Sequence, residues 1–459
     1  MGDWFTSTSA ADGNSIDEIP FISRRSPVLS MNGSVASSQP LASSIGLDIL
    51  RKGGNAAEAA IAIGAALCVT EPCSTGLGGD MFCLYFDSKQ RKVSCINGSG
   101  RSPSNLTLDV LRRDCGDGNG GVDLDAFDIS PHAVTVPGAA RGYEDLLNLY
   151  GSGKFTMAQL LEPAAKLAEE GFPVAPVTAH HWRTGMGLIQ QWIEQDDPIP
   201  LTLDGKRSPA PGEIFVNTDM ARILREFGKL GASKGFYEGT AGKAIAEAVQ
   251  RHGGCMSEND LAQHTSTFPN PISTDYRGVR LWQVPPNGQG IAGLIALSSV
   301  RHLEETGACP RISPETIGKA DAYHVMIEMM RLGFADCRQY VADADHVPVS
   351  TEWMLDPDRI GKRAGQLFKA DKASIKGIAL PSSCTVSFQV VDGEGNAISF
   401  VNSNFKGFGT GIVPKGCGFT LQNRGSGFSV DPNHPNVIGP DKRPYHTIIP
   451  GKLAFLVCS

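Results

Sequence analysis

The 459-residue sequence contains no CxxC pair, no HExxH and no GxxxxGK[ST] loop, and its glycine-rich GLGGD (76–80) does not follow the dinucleotide fingerprint GxGxxG. The first two absences leave no metal site that local spacing can build, and the third removes the usual phosphate cradle. No apolar run approaches the roughly 18 residues of a membrane-spanning helix, and the opening MGDWFTSTSAADGNSIDEIPF has no basic start followed by an apolar stretch. Secretion and membrane spanning are therefore not expected, and a cytoplasmic location is. Charge of one sign is nowhere concentrated: 19% of residues are charged, the net charge is −7, and no nucleic-acid footprint follows. Eleven scattered cysteines, an odd number, suit free thiols in a reducing compartment. The sequons at Asn32, Asn97 and Asn105 are then incidental.

With 41% hydrophobic residues the chain can bury a sizeable core. Residues 1–24 are small and polar and read as a disordered tail. VLSMNGSVAS (28–37) reads as a strand. Pro40 opens a helix stopped by Gly53 and Gly54, and AAEAAIAIGAAL (56–67) is apolar nearly all round and so predicts a buried helix. GLGGD (76–80) reads as a tight turn entering a hairpin that ends near residue 98. Helical spacing recurs through the middle, from TMAQLLEPAAKLAEEG to the long run ending near residue 340. GASKG (231–235) matches the nucleophile-elbow spacing but follows a helix instead of a strand, which removes it. His180 and His181 are adjacent and have no ligand spacing. The polar stretch over 340–380 reads as an exposed linker where a chain is open to cutting. From residue 384 the pattern turns to strands, TVSFQVVD, NAISFVNS and GCGFTLQN. Strands at both ends around a helical middle predict helices on the faces of a sheet sandwich.

Thr385 heads the first of these late strands. It shares its parity with Ser387 and Gln389, whereas Val386, Phe388 and Val390 take the other face, so it is placed to face a cleft.

TVSFQVVDGEGNAISFVNSNFKGFGTGIVPKGCGFTLQNRGSGF, followed by HPNVIGPDKRPYHTIIP, resembles the start of the small subunit of the gamma-glutamyltransferase (glutathione hydrolase) family. GGNAAEAAIA, EPCSTGLGGDMF, NGSGRSP, AVTVPGAARG and PPNGQG resemble its large subunit in the same order, and the likeness spans roughly residues 28–450. It implies an N-terminal-nucleophile (Ntn) hydrolase: an αββα sandwich of two stacked, mainly antiparallel sheets flanked by helices. Residues 25–384 would be the large-subunit-like region and 385–459 a shortened small-subunit-like region, both from one precursor cut between Cys384 and Thr385. The chemistry is sound, because a threonine hydroxyl needs a base and the freed α-amine, with a pKa of about 7.7 to 8.0, can serve as one. Thr385 would attack a γ-glutamyl amide and leave an acyl-enzyme for water or an acceptor amino acid, and the resemblance implies no metal or organic cofactor. The resemblance further assigns Arg101 to the substrate α-carboxylate, as suits a two-pronged donor, and Ser403 to supporting the nucleophile.

The likeness departs from the best-studied branch at three places. Gly427 and Phe405 stand where that branch holds the substrate α-amino group with aspartate and asparagine. Cys384 stands where many members have aspartate. The segment PGKLAFLVCS replaces the stretch that carries the family's oxyanion-hole glycine pair, whose donors are commonly worth about 2.7 to 4 kcal/mol each. Gly427 and Phe405 make the stretch look more like the glutathione hydrolase-like or oxamate amidohydrolase-like branch. The three departures leave open a small-amide (oxamate-like) amidohydrolase using the same Thr385, or a truncated, non-catalytic family member.

Overall fold

The computed structural model describes residues 27–194, 197–346, 350–377 and 385–455. The expected tail over 1–24 and the residue before the expected cut, Cys384, lie outside them. Met1–Met31 forms a unit apart from Asn32–Ser459. Its described residues, 27–31, form no regular element, and the following concerns the larger unit.

Among the described residues the strands are β1 (Ser34–Ala36), β2 (Asp80–Asp87), β3 (Lys92–Gly98), β4 (Phe172–Pro173), β5 (Ile214–Phe215), β6 (Ile272–Tyr276), β7 (Val279–Gln283), β8 (Val386–Val391), β9 (Ala397–Ser403) and β10 (Gly451–Phe455). A five-stranded sheet runs β1-β8-β9-β2-β3 and a three-stranded sheet runs β10-β7-β6, with every pairing antiparallel; β4 and β5 form a small separate ribbon.

The period-two alternation of β2 explains the layers. Met81, Cys83 and Tyr85 join Val386, Phe388, Val390 and Phe400 in a core packed under helices, while Phe82 and Leu84 pack with Val401 and with Val284 and Ile448 from the side of the second sheet. Helices therefore cover one sheet, the two sheets meet through a thin apolar layer, and the helix Ile291–Glu305, with Ala320–Tyr340 packed against it, covers the other. This is the expected αββα arrangement.

The helix Ala56–Thr70 is buried along its whole length, because alanine and isoleucine present an apolar surface in every direction. Its start is fixed by a capping box in which Asn55 accepts from Glu58 N and Glu58 accepts from Asn55 N. Ala56 N also donates to Asp392 Oδ2 (3.0 Å), and the other oxygen of Asp392 accepts from Glu394 N and Asn396 N in the β8–β9 turn. One carboxylate thus ties the positive end of a central helix to the hairpin that bears Thr385 and Ser403.

Four expectations are corrected. Of the strand expected over 28–37 only β1 forms, since Gly33 takes the left-handed region at φ 112°. GCGFTLQN is not a strand: Gly416 and Gly418 have φ of 72° and 68° and break the extended run. The stretch over 340–380 is not simply a linker, because it contains the helices Thr351–Met354 and Pro357–Leu367, the second docked through Ile360 and Ala364 with Arg359 bonded to the buried Asp336. The middle of the chain is not only helical. β6 and β7, joined by Arg277 and Gly278 at φ of 53° and 80°, supply most of the second sheet.

Candidate active site

Three strands of the larger sheet bring Thr385, Ser403 and Asp80 into one row. The register that sets Val386 against Asn402 puts Thr385 level with Ser403, and Ser403 pairs directly with Asp80. By the alternation described above, all three side chains lie on the face turned toward the second sheet.

Thr385 is exposed, and its Oγ1 is 2.9 Å from Ser403 Oγ. Ser403 is fully buried and also accepts from Phe405 N at 2.9 Å. That second bond holds Phe405 at φ 78°, a conformation costing about 1 to 3 kcal/mol for a bulky residue. The expected parity is present, with Val386, Phe388 and Val390 buried and Ser387 and Gln389 exposed.

Asp80 ends the GLGGD turn and is completely buried. Its Oδ1 accepts from Gly100 N (3.0 Å), Gly138 N (3.1 Å) and Gln422 Nε2 (2.9 Å), and its Oδ2 lies 3.1 Å from His446 Nε2. Ile448 N donates to His446 Nδ1, so the proton of the neutral ring sits on Nε2 and is given to Asp80. Burial alone would raise the Asp80 carboxyl; the His446 and Gln422 bonds and the Arg424 charge outweigh it and hold it below its usual value. Burial, with Arg424 nearby, holds His446 down to about 3. The pair is therefore a carboxylate and a neutral imidazole.

Asp80 explains why separate glycine-bearing segments converge. NGSGRSP supplies Gly100 N and AVTVPGAARG supplies Gly138 N; a Cβ on Gly138 would stand 1.8 Å from Gly98 O. Gly79 has the same constraint on the other side, where a Cβ would lie 2.3 Å from Ser403 O. GLGGD is a tight turn, and its work is to let the backbone pass against Ser403 while aiming Asp80 inward.

Arg101 is placed differently from Thr385 and Ser403. It follows Gly100 directly, and its guanidinium faces Asp345 Oδ2 at 4.0 Å and Asp441 Oδ1 at 3.8 Å. Phe405 and Gly427 are both buried. Phe405 carries the Arg424 guanidinium over its ring, with 4.0 Å from Cζ to the centroid. Sequence reasoning assigned no role to Asp80, Gln422, Arg424 or His446. A charged residue heading the apolar run MFCLYF was the available signal for Asp80; nothing local marks the other three as its neighbours. Among the described residues no cluster of three or more His, Cys, Asp or Glu is arranged to hold a metal ion, and the nine described cysteines are free.

Comparison with known proteins bears on the family and the fold. A sequence model of the gamma-glutamyltranspeptidase family matches residues 42–454. The glutathione hydrolase-like YwrD proenzyme of Bacillus subtilis is 36% identical over 422 residues, covering 91% of this chain and 75% of that protein. The oxamate amidohydrolase proenzyme of Klebsiella pneumoniae is 29% identical over 425 residues, covering 92% and 76%. Among solved structures, a cephalosporin acylase from Bacillus halodurans superposes with a TM-score of 0.82 at 37% identity, over 96% of this chain and 78% of that one. The gamma-glutamyltranspeptidase of Helicobacter pylori gives 0.67 at 27% identity, over 76% and 95%.

Proposed function

Since the chain belongs to the gamma-glutamyltranspeptidase family, we propose that it is a self-processing amidohydrolase whose nucleophile is Thr385. The observation that carries this reading is the 2.9 Å hydrogen bond between Thr385 Oγ1 and Ser403 Oγ at the open end of the sheet. Several relatives are named as proenzymes, which supports a single precursor cut into two subunits.

In the maturation step Thr385 Oγ attacks the Cys384 carbonyl, the peptide C–N bond breaks, and water cleaves the resulting ester. The products are a Cys384 carboxylate and a free Thr385 amine. In turnover that amine accepts the Oγ proton as Oγ adds to the substrate amide carbon, then passes it to the departing nitrogen as the C–N bond breaks. Water or an acceptor amine then takes the acyl group. Ser403 holds the Thr385 hydroxyl in one orientation, and Arg101 attracts anionic substrates to the rim. The named relatives act on different amides, so the substrate class is either a γ-glutamyl compound such as glutathione or a small oxamate-like amide.

The test is turnover of γ-glutamyl anilide and of oxamate by the purified protein, with Thr385→Ala as control. Release of aniline or ammonia that vanishes in the control supports the reading. Absence of turnover of both by correctly folded protein makes this chain a non-catalytic family member.

A further inference from the structure

Arg424 is fully buried, yet only part of its guanidinium is used. Nη1 donates to Thr447 Oγ1 (2.9 Å) and the planar face rests on Phe405, but Nε and Nη2 have no partner among the described residues. These two atoms form the edge of the guanidinium that grips a carboxylate with two parallel bonds. The same edge does so elsewhere in this chain: Arg280 Nε and Nη2 bind the two oxygens of Asp275, and Arg113 Nε and Nη2 bind those of Asp114.

Among the described residues no side chain completes the corresponding pair at Arg424. Asp80, the carboxylate whose charge acts on it, is already engaged by Gly100, Gly138, Gln422 and His446. A cation taken out of water without a bound counter-ion is costly, by several kcal/mol even after relaxation, and an arginine cannot escape the cost by losing its proton at neutral pH. The place of this edge is informative. Phe405, on which it rests, gives its N–H to Ser403, and Ser403 is bonded to Thr385; Thr447, which orients it, follows His446. Arg101, by contrast, already faces two aspartates.

We propose that Arg424 anchors a carboxylate on the acyl half of the substrate, taken through Nε and Nη2, so that the substrates are monoamides of dicarboxylic acids. This assignment rests on the reading of Thr385 as the nucleophile and moves the inner carboxylate contact from Arg101 to Arg424. Two kinds of acyl group bring such a carboxylate: a short one, adjacent to the scissile carbonyl as in oxamate, or a longer one, as in glutaryl and γ-glutamyl amides.

The experiment compares matched acid and neutral amides, oxamate against oxamide and glutaryl anilide against its methyl ester, with wild type, Arg424→Gln and Arg101→Gln. Arg424→Gln is expected to lower kcat/KM for the preferred acid by about 10- to 100-fold, the usual value of a hydrogen bond to a charged group, and to leave the neutral amide within a few-fold. The identity of the preferred acid separates the short from the long acyl class. Equal losses on acid and neutral amides, or an acid-specific loss only in Arg101→Gln, overturn the proposal.

A second arm needs no turnover. Thr385→Ala protein is titrated calorimetrically with oxamate and glutarate, with and without Arg424→Gln. Binding that disappears with Arg424→Gln keeps the anchor even if no amide is turned over, in which case only the nucleophile reading fails. Absence of binding of either anion by folded Thr385→Ala protein means that the unpaired donors hold enclosed water, and the anchor is wrong. If Arg424→Gln does not fold, Thr447→Val takes its place: it frees the oriented guanidinium and is expected to weaken the acids alone.

Discussion

Asp80 and Ser403 are direct cross-strand neighbours, so the buried carboxylate that gathers Gly100, Gly138, Gln422 and His446 also sets the position of the residue that holds the Thr385 hydroxyl. The proposed nucleophile is exposed, and its support is built from groups with no access to solvent. This division suits catalysis, which needs a reacting atom open to substrate and a surround that does not relax.

Ser403→Ala removes two hydrogen bonds at once, to Thr385 Oγ1 and from Phe405 N. Turnover is expected to fall by about 10- to 100-fold, equivalent to about 1.4 to 2.7 kcal/mol. Ser403→Thr keeps the hydroxyl and should retain most of the rate. Steady-state kinetics on the preferred amide, with the extent of processing measured on each variant, checks both.

Stability is expected to fall as pH drops below neutrality. Burial holds both His446 and His264 down to about 3, against an ordinary value near 6.5. Between those values the unfolded chain binds protons that the folded chain refuses, so stability rises with pH across that window and is lost on acidification. Each histidine contributes about 1.4 kcal/mol per pH unit there, so urea unfolding at pH 5 is expected to show a loss of about 4 kcal/mol relative to pH 7. The Asp80 carboxyl, held below its ordinary value, adds a further loss only at lower pH, as the folded carboxyl finally protonates. A flat profile from pH 7 to pH 5 would contradict the neutral, buried imidazoles described above.

Gly138→Ala places a Cβ 1.8 Å from the carbonyl oxygen of Gly98, on backbone that cannot swing aside. Relieving the overlap must pull Gly138 N away from Asp80. Thermal or denaturant unfolding is expected to show a loss of about 1 to 3 kcal/mol or more, whereas Gly153→Ala, at an open surface position, is limited to the cost of its φ of 79°.

The residues expressing a local rule were legible in the sequence. The run over 56–67 is apolar nearly all round, and the structure has a buried helix there; Val386, Phe388 and Val390 alternate with polar residues, and the strand has that parity. The β6–β7 hairpin was obscured because its residues are half-buried on both faces, leaving a blurred alternation. Asp80 and His446 are separated by more than 360 residues, and Arg424 becomes informative only when its donors are seen to lack partners. Such relations depend on how distant segments pack, which the spacing of residues along one chain does not encode.

The most direct test is the intact mass of the purified protein, with N-terminal sequencing of any fragment. The account predicts two chains, the smaller beginning TVSFQ at Thr385, and a Thr385→Ala variant that stays whole. A folded wild-type protein that remains a single uncut chain on prolonged incubation would contradict the assignment of Thr385 as a self-released nucleophile.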